Sequence, residues 1–537
     1  MRQSEPFIRV GDGEDWTFTN ARFEDGADHA IHVPQSHRRR DGTGMQGHHY
    51  GFLREREYGD LVARFRFRLG SHSDVGLIFH AADPADFFAL HFPECGQANR
   101  AQHFWATLSR MQDGWFRIIK MDLVRRVSST NRLWHEAEVS LSGDHLRAVI
   151  DEGGTFEAFD PALPGHGRCG LYLFTSGEVR ELQIEGAGGT PRPWDADRRP
   201  PQRWFHPSMD TTFGTWQRPG QLVQLAEREL LHNYTVQERP YSGDMTPVTS
   251  RSDDNGQTWT KPERVADLKV GAWEGCGSIH RFPDRVVRML IPGEDGFRIG
   301  ETTDRGRTWL QPRPTGLGAA VLGVNRLYPP PAPFVNVRDG SVLVFAYGGH
   351  ESSVPGAAIQ TWGSHHCQAF VSRSQDNGRT WSPWKSIDGT LDADGKPVAG
   401  NLDLTETCGV ETTEGRILTF TRPIYSPWMW ETWSDDGGRT WTPCMRGPFP
   451  GYAASNMVRT ASGAILVAHR LPGCTIHTSL DDGMTWDQGT MIDSAIWCMG
   501  SMIEVGPDLV LYVYWDSFES FMRAQFIRVT PRGIAPA

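Results

Sequence analysis

Two carboxylates and four arginines stand in local patterns that could do chemistry. The run Glu406-Thr-Cys-Gly-Val-Glu-Thr-Thr-Glu-Gly-Arg-Ile-Leu-Thr-Phe-Thr-Arg422 sets an acid and an arginine sixteen residues apart, with a turn glycine, Gly415, between them. If both ends lie on strands facing one cavity, Glu406 and Arg422 meet there. A second acid, Asp244, follows Arg239 in Gln237-Glu-Arg-Pro-Tyr-Ser-Gly-Asp244. Two carboxyl groups are the usual equipment for cleaving a glycosidic bond, and Asp244 suits the proton donor where its pocket raises its pKa. Arg218, before Pro219, and Arg470, in His469-Arg470-Leu471-Pro472, add guanidiniums. Several such forks around one carboxylate would hold it by paired hydrogen bonds. Each stretch also has a plainer reading: an acid at a hairpin turn, a Ser-Gly-Asp loop, or unrelated surface arginines. His365-His366 has no third ligand at recognisable spacing, so no metal site is expected, and Cys498 reads as a buried thiol rather than a nucleophile.

What positions these groups is a repeat. Ser252-Asp-Asp254-Asn-Gly256-Gln-Thr258-Trp259 has the form Ser/Thr-x-Asp-x-Gly-x-Thr-Trp. It returns with its first residue at Thr302, Ser374, Ser434 and Ser479. Five copies at intervals of about 45 to 70 residues indicate a radially repeated fold. Each copy suits a turn in which Ser/Thr and Asp bond nearby backbone, Gly takes positive φ, and Trp packs between sheets. The repeat units fall near 213–265, 271–313, 325–390, 400–446 and 451–490, followed by a boxless unit at 494–532. A count of six blades follows, or five if one end supplies only a closing strand. In such a ring the inner strands line one axial cavity where distant residues converge.

The five copies are similar to the Asp boxes of sialidases and related β-propellers, in which the boxes are structural and lie away from the active site. The resemblance implies an Asp as general acid/base, a Glu that activates a Tyr nucleophile, and three Arg on the substrate carboxylate. Glu406 and Arg422 match the segment that carries the catalytic Glu and a triad Arg. Asp244, eight residues before the box Ser252, takes the place of the acid, and Arg239 that of an active-site Arg. Arg218 and Arg470 stand for the remaining triad arginines, although Arg218 lacks the apolar residue that family members place before Pro. The departure is in the last unit, where Ala495-Ile-Trp-Cys-Met-Gly-Ser501 has no Tyr. Three alternatives follow: another Tyr reaches in, water attacks directly with inversion, or the chemistry differs.

Residues 1–190 carry no box. Alternating stretches at 58–70, 74–82, 87–94, 114–124, 145–151 and 169–186 indicate an antiparallel sandwich. The closing Gly-x-x-Gly-Leu-Tyr-x-Phe-x-Ser-Gly pattern resembles concanavalin-like (laminin-G-type) jelly rolls. Such domains often bind glycans, and a purely structural module is the equal alternative. The Gly/Pro/Arg-rich stretch at 187–206 marks the boundary, giving a linker at 191–210 and a propeller over 211–537. The expected fold is therefore all-β, a six-bladed sialidase-like propeller behind a β-sandwich.

With 537 residues the chain can bury more than one core, and its 20 Trp and 58 Gly suit β folds with tight turns. A net charge of −11 argues against nucleic acid or an anionic membrane as partner, while leaving room for one acidic substrate held by local arginines. The eight cysteines include no CxxC pair and read as mostly buried free thiols. The opening residues hold no apolar signal core, so a cytoplasmic location is expected. Together these features imply an exo-acting glycosidase of sialidase-like type on a glycan ending in an acidic sugar, with no cofactor. A glycosidase or lyase for another sugar, and a catalytically silent glycan binder, remain the alternatives.

Overall fold

The computed structural model describes residues 7–10, 16–19, 22–34, 49–70, 73–93, 105–124, 133–174, 176–189, 192–238, 245–265, 278–293, 296–318, 327–350, 366–387, 404–423, 426, 428–451, 456–494, 499–515 and 521–537. Apart from one short 3-10 turn at Ala27–His29, the regular structure among them is β-strand. Two units divide the chain. The first comprises 1–202 with 471–475 and 488–496; the second comprises 203–470, 476–487 and 497–537. The boundary after Gln202 lies inside the expected linker, whereas the two short segments near 480 assigned to the first unit have no counterpart in the sequence reading.

In the first unit, the 20-residue strand His49–Arg68 belongs to two antiparallel layers. Its first half pairs with Gly167–Phe174, and its second half pairs with Trp134–Ser142 and Glu178–Gly189. Period-two alternation sends Leu61, Ala63, Phe65 and Phe67 into one core with Val75, Leu77, Phe88, Leu90, Val139 and Leu171. The opposite face of the Asp74–Asp83 and Asp86–Pro93 strands is buried as well. There His91 donates from Nδ1 to Asp74 Oδ2 at 2.7 Å, and its Nε2 accepts from Ser109 Oγ at 3.2 Å. His91 and Ser109 are fully buried and Asp74 is 4% exposed, so this Ser–His–Asp chain is a sealed polar core with no access for a substrate. Thr490 and Met491 register against Arg117 and Phe116 beside it. The strands at Trp105–Gln112, Trp134–Ser142 and Gly154–Phe159 are not anticipated by the sequence reading, and the single stretch 169–186 is two strands.

Among the described residues the second unit has five separate antiparallel sheets. The first has Trp216–Ala226, Glu229–Gln237, Thr246–Ser252 and Glu263–Arg264. The second has Ser278–Arg281, Val287–Gly293, Gly296–Thr302 and Arg313–Pro314. The third has Leu327–Tyr328, Phe334–Asn336, Val342–His350, His366–Ser374 and Lys385–Ser386. The fourth has Leu404–Glu411, Ile417–Pro423, Trp428–Ser434 and Met445–Pro450. The last has Gly500–Gly506, Leu509–Trp515, Met522–Thr530 and Gly533–Pro536. Between the fourth and last sheets stands the hairpin Asn456–Arg459 and Ile465–His469. The strand Thr490–Asp493, which follows the fifth box, belongs to the first unit and pairs there with Trp115–Leu123.

Four boxes join the last two strands of the first four sheets, and the fifth follows Ser479. Their chemistry is uniform. Ser252 Oγ donates to Asp254 Oδ1 at 2.8 Å and accepts from Gly256 N at 2.8 Å, while Thr258 N donates to the same carboxylate oxygen at 2.9 Å. The same three bonds recur at 2.7 to 2.9 Å in every other copy. The hydrogen bond from the Thr308 hydroxyl is the main reason the Asp304 carboxyl falls to about 2. Asp376 and Asp436 also fall to about 2: partial burial opposes the shift, and the bonds from Thr380 and Thr440 outweigh it.

The box glycines also explain how neighbouring sheets meet. All five have φ between 77° and 94°. A Cβ at Gly306 would lie 2.7 Å from Leu231 of the first sheet, at Gly438 2.7 Å from Leu343 of the third, and at Gly483 2.8 Å from Leu418 of the fourth. At Gly378 it would lie 3.0 Å from Phe282, and at Gly256 2.3 Å from Leu511 of the last sheet. Each box thus seats against the sheet before it, and the first box seats against the last sheet. One apolar cluster joins Leu230, Tyr234 and Val248 of the first sheet to Leu511, Val513 and Met522 of the last. The sheets close on themselves as a β-propeller.

Gly438→Ala is expected to destabilise the protein by about 2–4 kcal/mol, combining a left-handed alanine with overpacking against Leu343. Gly340→Ala has φ 85° but nothing within 4 Å of the added Cβ. It should cost only about 1 kcal/mol, and thermal melts of the two variants compare them directly.

Candidate active site

The hairpin Leu404–Glu411 and Ile417–Pro423 brings Glu406 and Arg422 together. Its register slips between Leu404 and Thr407, a bulge that turns Glu406 out of the regular alternation. Thr405 Oγ1 donates to the Arg422 carbonyl at 3.2 Å, and the Thr407 and Thr421 hydroxyls lie 3.0 Å apart, fixing the distorted end of the ladder. Arg422 Nη1 then donates to Glu406 Oε2 at 2.9 Å. Both residues are buried, 8% and 6% exposed, so the ion pair operates with little screening by water. A guanidinium has five N–H donors, and this bond engages one of them.

The third sheet adds a residue that the sequence reading missed. Tyr347 and Tyr328 are register partners, and their rings stack at 5.6 Å with 28° between planes. Burial pushes the Tyr347 phenol well above its ordinary pKa; the Glu406 carboxylate pushes it further, and Arg422 pulls the other way. The phenol therefore stays protonated and feels the charge of both members of the pair. Such a Tyr becomes a nucleophile only if a base takes its proton as it attacks, which is what an adjacent carboxylate can do. Nothing in the local sequence Val342-Leu-Val-Phe-Ala-Tyr347-Gly-Gly distinguishes it from an ordinary strand.

The other expected residues are placed differently. Arg218, on the first strand of the first sheet, lies 5.3 Å over the Trp515 ring, with Nη2 3.9 Å from Met499 Sδ. It therefore reaches the stretch of the last sheet where the expected Tyr is missing. Arg470 is buried at the end of Ile465–His469, beside a stack in which the Phe449 ring lies parallel to His477 at 4.0 Å and to His469 at 5.8 Å. Asp244, Arg239 and the segment Ala495–Cys498 lie outside the described residues, as does His365. Tyr512 and Tyr514 are core residues of the last sheet, the Tyr514 hydroxyl accepting from Gln525 at 2.8 Å. Trp430 packs into the cluster between the third and fourth sheets. Cys169, Cys367, Cys408 and Cys474 are buried free thiols and Cys444 is a half-buried one. Among the described residues no group of three His, Cys, Asp or Glu could hold a metal ion.

Removing one partner of the pair strands a buried charge, so Arg422→Met should destabilise by about 3–5 kcal/mol. Adding Glu406→Gln should restore part of that loss, which a denaturant double-mutant cycle measures directly. The stacked histidines generate a pH prediction. Burial holds His477 at about 4 and, with His477 beside it, keeps His469 well below its ordinary value. As pH falls, the unfolded chain binds these protons first, so stability present above about 6.5 should fall away towards pH 4. In His477→Gln the slope of unfolding free energy against pH should be shallower by roughly 1.4 kcal/mol per pH unit across that window.

Comparison with known proteins adds the following. Residues 287–497 match the family model described as a BNR repeat-like domain. No curated protein sequence matches the chain. Among solved structures, a protein of unknown function from Dyadobacter fermentans is 13% identical with a TM-score of 0.48, covering 61% of this chain and 98% of that one. A leech intramolecular trans-sialidase is 11% identical with a TM-score of 0.45, covering 87% and 93%. The α-L-arabinofuranosidase Arb93A of Fusarium graminearum is 13% identical with a TM-score of 0.42, covering 59% and 93%. With its repeated boxes and its closed succession of sheets the second unit is a β-propeller, and residues 287–497 within the chain are similar to the BNR repeat-like family.

Proposed function

We propose that the protein is a glycoside hydrolase, exo-acting and sialidase-like, that removes a terminal acidic sugar from a glycan in the centre of the propeller. The observation that carries this reading is the buried Glu406–Arg422 pair at a strand bulge, with the Tyr347 phenol within reach of its charge. In this reading Tyr347 supplies the nucleophile that the last sheet lacks. Its oxygen bonds to the anomeric carbon as its proton passes to Glu406, and the leaving glycosidic oxygen takes a proton from Asp244. Water then releases the sugar, with Asp244 taking a proton from that water and Glu406 returning one to Tyr347. Arg422 positions Glu406 and, with Arg218, Arg239 and Arg470, faces the substrate carboxylate. We count six blades, the hairpin at 456–469 with the strands around the fifth box being the fifth in chain order. The first unit is a jelly-roll module of laminin-G type, and the burial of both faces of its Asp74–Asp83 and Asp86–Pro93 strands favours a structural role.

A panel of fluorogenic aryl glycosides that includes a sialoside tests the reading. Wild type should turn over the sialoside; Tyr347→Phe should lower kcat by about 10²–10⁴ while melting normally, and Glu406→Gln should lower it as far with a reduced Tm, because Arg422 is left as a buried charge. Retained activity in Tyr347→Phe with an inverted product anomer would assign direct attack by water. Absence of turnover on the whole panel, or a fully active Glu406→Gln, would overturn the proposal.

A further inference from the structure

The five boxes can be compared position by position, and one breaks the pattern of charge. The residue just before each box Ser/Thr and the residue eleven after it lie on adjacent strands at the outer edge of a sheet. These positions hold Arg251 and Glu263 in the first copy, Glu301 and Arg313 in the second, Trp433 and Met445 in the fourth, and Thr478 and Thr490 in the fifth. Arg251 and Glu263 form an ion pair at 2.6 Å. The third copy has Arg373 and Lys385, two cations where the first copy pairs opposite charges; in the second, Glu301 pairs instead with Arg288 at 3.3 Å. Lys385 registers with Val371, two residues from Arg373, so the two cations lie diagonally on neighbouring strands, where like charges repel.

These two cations, with Arg439 of the fourth box, line a cleft of about 330 Å³ that also presents Thr380, Trp381 and Ser382. Asp339 is the carboxylate seen to reach the cations, 2.6 Å from Arg373 and 3.3 Å from Arg439. Lys385 donates to the Arg439 carbonyl at 2.8 Å, which engages one of its three N–H donors. Arg373 donates from Nε to the Gly437 carbonyl at 3.1 Å, and this holds its guanidinium at the cleft wall. Three fixed cations against one carboxylate leave the cleft with an excess of positive charge on a chain whose net charge is −11.

We infer that this cleft, at the edge of the third sheet beside the third and fourth boxes, binds a tetrahedral oxyanion, either free or as a sulfate or phosphate ester on a sugar. It is a site distinct from the Glu406–Arg422 pair and does not depend on the proposed hydrolysis. Guanidinium and ammonium groups suit the oxygens of such an anion.

The test is a titration of the full chain with inorganic sulfate, inorganic phosphate and a sugar 6-sulfate, at ionic strength held constant with sodium chloride. Thermal stability and calorimetric binding are both read. Wild type should show saturable binding and a rise in Tm. Lys385→Glu, which recreates the opposite-charge arrangement of the first box, should bind at least about tenfold more weakly and melt higher than wild type without anion. Lys385→Gln should be intermediate in both readouts. Binding of the inorganic ions alone would assign a free anion, and preference for the sugar 6-sulfate would assign a glycan ester. Absence of saturable binding to all three probes, or equal binding by wild type and Lys385→Glu, would overturn the inference.

Discussion

The structure depends on a steric fit: the box glycine of one unit occupies space that a side chain of the preceding sheet leaves only for a hydrogen atom. At Gly306, Gly438 and Gly483 the neighbour is a leucine of the sheet before, and at Gly256 it is Leu511 of the last sheet. The Asp and Ser/Thr of the box hold the turn so that the glycine presents its bare face. Hydrogen bonding and packing are therefore divided between residues a few positions apart, which is why the motif recurs whole. Polar clasps reinforce the same seams, as where Asn336 Nδ2 donates to the Arg281 carbonyl at 2.9 Å and Thr413 N donates to Asp482 at 2.7 Å.

Against that regular frame the fourth sheet is locally irregular. The bulge before Thr407 breaks the ladder and aims a carboxylate at a buried arginine. Burying two charges costs more than a surface pair returns, so a fold chosen for stability alone would favour apolar residues there. The pair is the kind of expense that proteins meet at sites of function. Tyr347, arriving from the next sheet, makes the local environment a three-residue arrangement instead of an isolated salt bridge.

The propeller was legible because the box is long and its glycine has no substitute: five copies fix where each sheet turns. Glu406 and Arg422 were legible because the hairpin between them has an alternating pattern and a marked turn at Gly415. Tyr347 was not, because its strand reads as plain apolar sequence and its relation to Glu406 arises from packing between sheets. The strands at 105–112 and 134–142 escaped notice because they carry Thr, Ser and His on buried or half-buried positions. The grouping of Thr490–Asp493 with the first unit follows from its pairing to Arg117 and Phe116, a long-range register that no local pattern encodes. The roles of Asp244 and Arg239 fall on residues outside those described.

The seam between Gly256 and Leu511 has a kinetic consequence. It joins the earliest and latest sheets of the second unit, so no partial chain emerging from a ribosome can make it, and every intermediate up to that moment carries two open flanks. Contacts so remote in sequence are slow to form, and unpaired strand edges attract other chains in the meantime. Once latched, the same seam makes unfolding a collective event, since loosening either sheet requires the ring to part.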